Sequence, residues 1–247
     1  MPSFFERMPV VVRNLLIINV IFFAVPAFIP SLGRSLDTYL ALHYFTSPGF
    51  NVAQLFTYMF LHGSFMHLFF NMFALVVFGP PIEYSMGSRR FLFYYITCGI
   101  VAGLVQMGVF AIMIHKYVGM FSPAEYHEII SRGWELMKQG YNFTDPTLGT
   151  LNALVNTPMV GASGAIFGVM LAFGMLFPNQ PMYLFFVPYP IKAKWIVLGY
   201  AVIELLQGVG NLASSVAHFA HLGGMIAGIA LIMYWKRRGV FNNHWFF

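Results

Sequence analysis

Charge is scarce in this sequence. Only 9% of its 247 residues are Asp, Glu, Lys or Arg, against 59% that are hydrophobic, so the chain has too little polar material to cover a water-facing surface, and a soluble globular domain is excluded. Cysteine is nearly absent as well. A lone Cys98 cannot form an intrachain disulfide, and its place in an apolar run marks it as a buried thiol. Acidic residues number 8 against 13 Lys and Arg, yet no interleaving of basic and aromatic residues accompanies the excess, so nucleic acid is not an expected partner. What the chain does have is long apolar runs, rich in its 28 Phe. These read as one integral domain over residues 1–247, embedded in membrane lipid.

An apolar helix needs about 20 residues to cross the hydrocarbon. Six segments approach that length, at about residues 10–29, 65–79, 91–114, 159–177, 195–209 and 216–235, which predicts an all-α membrane protein with six transmembrane helices. No small-x-small cleavage signal follows the first, so an uncleaved anchor is expected. In the second run His62-Gly63-Ser64 separates a short interfacial helix from a span starting near Phe65, and Pro80-Pro81 is expected to stop that span. The fifth span is short, preceded by YLFFVPYPIKAK, which suits a loop against the membrane. Gln207 to Ser215 reads as a glycine-rich loop covering a cavity, and so as a gate.

Basic residues in alternating connections fall unevenly. Arg7, Arg13, Arg89, Arg90, Lys192, Lys194, Lys236, Arg237 and Arg238 lie on one side, and Arg34, Lys116, Arg132 and Lys138 on the other. The richer side should be cytoplasmic. Both termini then face the cytoplasm of a cell membrane crossed several times, and spans two, four and six all enter from the outside. The long outer loop between spans three and four, His115 to Pro158, carries Ser122-Pro123-Ala124-Glu125, a capping signature that predicts a helix over about 122–139. Tyr126, Ile129, Ile130, Trp134 and Met137 fall at helical spacing within it, so an amphipathic helix on the outer membrane surface is expected.

Polar residues inside spans are costly, so their positions are informative. His62, His67 and Asn71 lie near the outer start of span two, Ser163 near that of span four, Glu204 toward the outer end of span five, and His218 and His221 near the outer start of span six. At the helical rise, Ser163 is about 6 Å and His221 about 8 Å inside the first apolar residue of their spans, and so at a shared depth. Gly164-AIF-Gly168 and Gly224-MIA-Gly228 are small-xxx-small faces that let two helices approach closely. His221 precedes both Gly224 and Gly228 on one face, so a Ser163–His221 contact between spans four and six follows from spacing. Taken singly, each has a bland reading: a packing serine, a satisfied buried histidine, an interhelical clamp. Together they point to a nucleophile and a base.

Gly161-Ala162-Ser163-Gly164, His62-GSFM-His67-LFF-Asn71 and Ala220-His221-LG-Gly224-MIA-Gly228 resemble the GxSG, HxxxxHxxxN and AHxxGxxxG motifs of the rhomboid intramembrane serine proteases. The resemblance covers roughly Phe56 to Tyr234. It implies a rhomboid-like bundle and a serine endopeptidase that cleaves single-span membrane proteins near the outer boundary. It further implies a Ser163–His221 dyad, an oxyanion site from His67, Asn71 and the Ser163 amide, and Phe167 packed on the His221 ring. His62, Gly161, Gly164, Gly224 and Gly228 support that site. Two features depart from the pattern: Ala53-Gln54 replaces a Trp-Arg pair in the first outer loop, and the 115–158 connection is longer than in compact members.

The AHxxGxxxG frame fits His221 as the base and leaves His218 a supporting role. No acid lies near His221 in sequence, so a dyad is favoured over a triad using Glu204. No cofactor is expected. His62, His67, His218 and His221 could meet, but no carboxylate or cysteine joins them in a familiar ligand spacing, so no metal is expected either. A transporter would show ion-coordinating carboxylates in its spans, where Glu204 stands alone. The alternative function is a catalytically inactive rhomboid-like protein that binds transmembrane segments; such a protein would be expected to lack Ser163 or His221.

Overall fold

A computed structural model of the chain describes residues 4–183, 188–210 and 218–241. The short α1 (Phe4–Arg7) is followed by α2 (Val10–Phe28), α3 (Pro30–Leu40) and α4 (Gln54–Thr57), which runs into a 3-10 turn at Tyr58–Phe60. Next come α5 (Phe65–Met86), α6 (Ser88–Val118), α7 (Pro123–Lys138), α8 (Pro146–Asn156) and α9 (Ser163–Leu176). An antiparallel pair, β1 (Pro181–Met182) with β2 (Ile191–Lys192), leads to α10 (Ala193–Gly210) and α11 (His218–Arg237). The protein is an all-α membrane bundle. Among the described residues five helices, α2, α5, α6, α10 and α11, are long and apolar enough to cross a membrane.

The shorter α9 stands at the centre. Its 14 residues rise about 21 Å, less than the roughly 30 Å of hydrocarbon. It tolerates that because α5, α6, α10 and α11 pack around it, and most of its side chains are buried. Irregular backbone can therefore sit at membrane depth beyond its ends, where protein rather than lipid meets the free polar groups. The lead-in from Met159 is extended, not helical: Met159 exchanges backbone hydrogen bonds with Leu42, and the Gly161 amide donates to the Tyr58 carbonyl at 3.0 Å. The fourth segment thus becomes helical at Ser163, four residues later than its apolar run begins.

Close helix contacts rest on glycine. A Cβ added to Gly224 would strike the Gly164 backbone, and one on Gly164 would strike Ala102. A Cβ on Gly168 would lie 2.6 Å from Cys98 Sγ and 3.2 Å from the Gly224 carbonyl oxygen. The two small-residue faces therefore meet each other, as their spacing predicts, and Cys98 is a buried packing thiol beside them.

Several boundaries differ from expectation. Pro80 and Pro81 do not end α5, which continues to Met86. Its final turns carry Glu83, whose two carboxylate oxygens accept from the Val11 and Val12 amides at 3.0 and 2.9 Å while Ser88 Oγ donates to it at 2.6 Å. A buried carboxylate from α5 thus satisfies the otherwise partnerless first amides of α2. Gln207 to Gly210 belong to α10 rather than to a loop. The remainder of the expected gate, 211–215, lies outside the described residues, as do 184–187 and the first residues of the sixth predicted span, 216–217.

The connection between α6 and α9 holds two helices where one was expected. Ser122 and Glu125 form a reciprocal capping box at the start of α7. Its apolar face packs against protein: α8 meets it through Asn156, whose amide donates to the Ile130 carbonyl at 3.0 Å, and Trp134 meets the His43 ring edge-on at 5.1 Å. Helix α8, opened by Pro146 and capped by Asp145, was missed because its polar Asn152 and Asn156 face inward. Gln54 anchors the loop between α3 and α4, accepting from the His43 amide and donating to the Gly49 carbonyl at 2.8 Å.

Candidate active site

Ser163 opens α9 and His221 lies in the first turn of α11. Their side chains meet, with His221 Nε2 2.8 Å from Ser163 Oγ. Because the glycine faces bring the two backbones together just below this point, the contact needs no displacement of either helix. Phe167, one turn after Ser163, stacks on the imidazole with centroids 4.2 Å apart and planes at 5°. The ring is held between a hydroxyl at its edge and an aromatic face. Ser163 also stands at a helix N-terminus, where the first amides have no acceptor within the helix and the dipole favours negative charge.

His67 is placed by the start of α5, where Ser64 caps the helix by accepting from the His67 amide at 3.1 Å. Its ring lies over the approach to Ser163. A Cβ at Gly161 would fall 2.7 Å from His67 Cε1, and Gly161 has φ of 130°, so only glycine fits this turn. Asn71, one turn further along α5, uses its amide to donate to the His67 carbonyl at 3.0 Å. His62 meets His67 edge-on at 5.0 Å. Ser163 and His221 are thus brought together with His67 beside them at Gly161, while the Asn71 amide is turned to the His67 carbonyl.

Glu204 corrects the sequence reading. It reaches the histidines from α10, with Oε2 2.7 Å from His218 Nδ1 and 3.0 Å from His221 Nδ1. The contact to His221 is off the line of a straight hydrogen bond, and Nδ1 has no other aligned partner among the described residues. Glu204 itself is buried. The expectations that no acid stands beside the base, and that no carboxylate joins the histidines, are both overturned. The four histidines divide instead into His62 with His67 and His218 with His221. Nothing in the sequence separation of Glu204 from His221 announced the contact; only the antiparallel packing of α10 on α11 produces it.

The chain matches the rhomboid domain over residues 49–123 and 137–238. It belongs to the rhomboid family. Among similar proteins, RHOMBOID-like protein 12, mitochondrial, of Arabidopsis thaliana is 32% identical over 76% of this chain and 47% of its own length. Rhomboid protein 1, mitochondrial, of Saccharomyces cerevisiae is 29% identical over 81% of this chain and 46% of its own. Rhomboid protease AarA of Providencia stuartii is 29% identical over 69% of this chain and 51% of its own. The chain spans about half the length of these curated relatives. The rhomboid match skips residues 124–136, which are most of α7, so the connection between α6 and α9 is where this rhomboid departs from the family pattern.

Proposed function

We propose that this rhomboid is an intramembrane serine endopeptidase acting on single-span membrane proteins. The 2.8 Å contact between Ser163 Oγ and His221 Nε2, inside a membrane bundle, carries the reading. A serine hydroxyl is a poor nucleophile until a base takes its proton. The carboxylate of Glu204 beside Nδ1 favours the imidazole tautomer with hydrogen on that nitrogen, which leaves the Nε2 lone pair for the Ser163 proton. Ser163 Oγ attacks the peptide carbonyl carbon as its proton passes to Nε2. The C–N bond then breaks, and the proton goes to the leaving amine. Water, activated by the same nitrogen, hydrolyses the ester and restores the hydroxyl.

Negative charge on the carbonyl oxygen meets the Ser163 amide at the α9 N-terminus, the His67 ring and, after it turns from the His67 carbonyl, the Asn71 amide. Losing one such donor typically lowers kcat by about 10²–10³-fold. The cleaved bond lies near the outer boundary, because Ser163 heads a short helix at that end of the bundle. A continuous substrate helix keeps its carbonyls in its own hydrogen bonds, so substrates should carry Gly, Pro or polar residues there, with a small residue before the cut. We assign six crossings, counting α9, with the basic-rich side and both termini cytoplasmic in a cell membrane.

Purified protein in lipid vesicles, given a single-span substrate, tests this reading. Ser163→Ala and His221→Ala should each reduce cleavage to background while keeping the melting profile, and His67→Ala should lower it about 10²-fold. Undiminished cleavage by Ser163→Ala would end the reading.

A further inference from the structure

Glu204, His218 and His221 form a cluster that hydrolysis does not fully use. The ligand-capable atoms of the three side chains all lie within 4.8 Å of one another, and Glu204 Oε2 faces both Nδ1 atoms at 2.7 and 3.0 Å. His218 and His221 are three apart on α11 and so share a face, which is turned to α10. The geometry is constrained at His221 and Glu204. Phe167 and Ser163 fix the His221 ring, the carboxylate is buried, and His221 Nδ1 is a buried nitrogen without an aligned hydrogen bond. One carboxylate oxygen and two imidazole nitrogens converging from two helices are the donor set of a three-residue zinc site with an open fourth position. Two nitrogen donors disfavour calcium and magnesium, which take oxygen.

We propose that Glu204, His218 and His221 bind a divalent cation of the zinc class, and that its binding switches the base off. The inhibitory half of this proposal rests on the protease reading; the binding half does not. A metal on Nδ1 occupies that lone pair, and the neutral ring then carries its hydrogen on Nε2. Nε2 becomes a donor. It can no longer take the Ser163 proton, although the ring has not moved. Without metal, Glu204 favours hydrogen on Nδ1 and so prepares Nε2; with metal, the same carboxylate helps hold the ion that reverses the tautomer. His218 contributes to the second state alone.

The full chain, purified in detergent and stripped with a chelator, would be titrated with Co²⁺, read by its visible d–d absorption, and then with competing Zn²⁺. We expect one saturable Co²⁺ site per chain with the strong absorption of low coordination, displaced by Zn²⁺ and retained in Ser163→Ala. Affinity should fall at least about tenfold in His218→Ala, in the larger His218→Gln and in Glu204→Gln. No saturable site, or equal affinity in all three variants, would overturn the proposal. In the vesicle cleavage assay Zn²⁺ should inhibit the unsubstituted protein reversibly. His218→Ala, compared with its own metal-free rate, should need at least about tenfold more Zn²⁺, and unchanged sensitivity would overturn the switch. A protein that binds Co²⁺ in this way but never cleaves would sink the protease reading and leave the site standing.

Discussion

Glu204 stands seventeen positions before His221 and on another helix, yet its carboxylate comes within 3.0 Å of His221 Nδ1. The carboxylate lies beside Nδ1, off the line of an ideal hydrogen bond, so its orienting effect should be real but smaller than that of the aligned acid in soluble serine proteases, whose amide replacement costs about 10⁴-fold. Glu204→Gln should therefore lower kcat by between about 10- and 10⁴-fold with little change in KM, measured on a single-span substrate with metal chelated. An unchanged kcat would make Ser163 and His221 act as a dyad alone. At this scale the sequence was informative where a motif fixes spacing: Ser163, His221, Phe167 and Gly161 sit as their motifs imply. Glu204 was illegible because its role comes from helix packing, which no local spacing encodes.

The helices show which element signals carry weight. Capping chemistry was reliable where it was legible: Ser122 and Glu125 start α7, while Ser64, legible only as part of a break before the span, caps α5 and with it positions His67. Proline was not, because α5 continues past Pro80-Pro81 to bring Glu83 against the start of α2. The amphipathic pattern of α7 marks a helix and suggests a membrane-facing stripe, without showing that α8 and the loop between α3 and α4 pack against it. In that loop His43 is buried against Trp134 with its Nδ1 3.1 Å from the Ala41 carbonyl oxygen. Burial holds the His43 pKa below its ordinary value, outweighing the hydrogen bonds that raise it. The unfolded chain therefore binds more protons than the folded one between that lowered value and the unfolded value near 6.5, and stability rises with pH through that window. Melting temperature should fall as pH drops below about 6.5, and His43→Gln should flatten the slope. An equal slope in the variant would show that other groups govern acid sensitivity.

For the molecule as a whole, apolar composition identified a membrane bundle, and its long apolar runs located the five helices that, among the described residues, are long and apolar enough to cross a membrane. They did not foresee that the fourth predicted span would form the short, buried α9 preceded by extended backbone, because a helix sheltered by others need not match the bilayer. The proposed orientation rests on charge. Cysteines placed at Gln139, beside α7, and at Tyr189, between α9 and α10, in a Cys98→Ala background, should react with an impermeant thiol reagent in intact cells at 139 alone. Reaction at 189 instead would invert the bundle and turn Ser163 toward the cytoplasm.

The account depends most on Ser163 being a nucleophile activated by His221. A fluorophosphonate, which forms a stable bond only with an activated serine, would be incubated with the purified protein and the adduct located by peptide mass spectrometry. The account predicts modification at Ser163, its loss in His221→Ala, and loss of substrate cleavage in proportion to the fraction modified. Cleavage that persists with Ser163 fully modified, or a labelled serine elsewhere whose modification tracks inactivation, would contradict it.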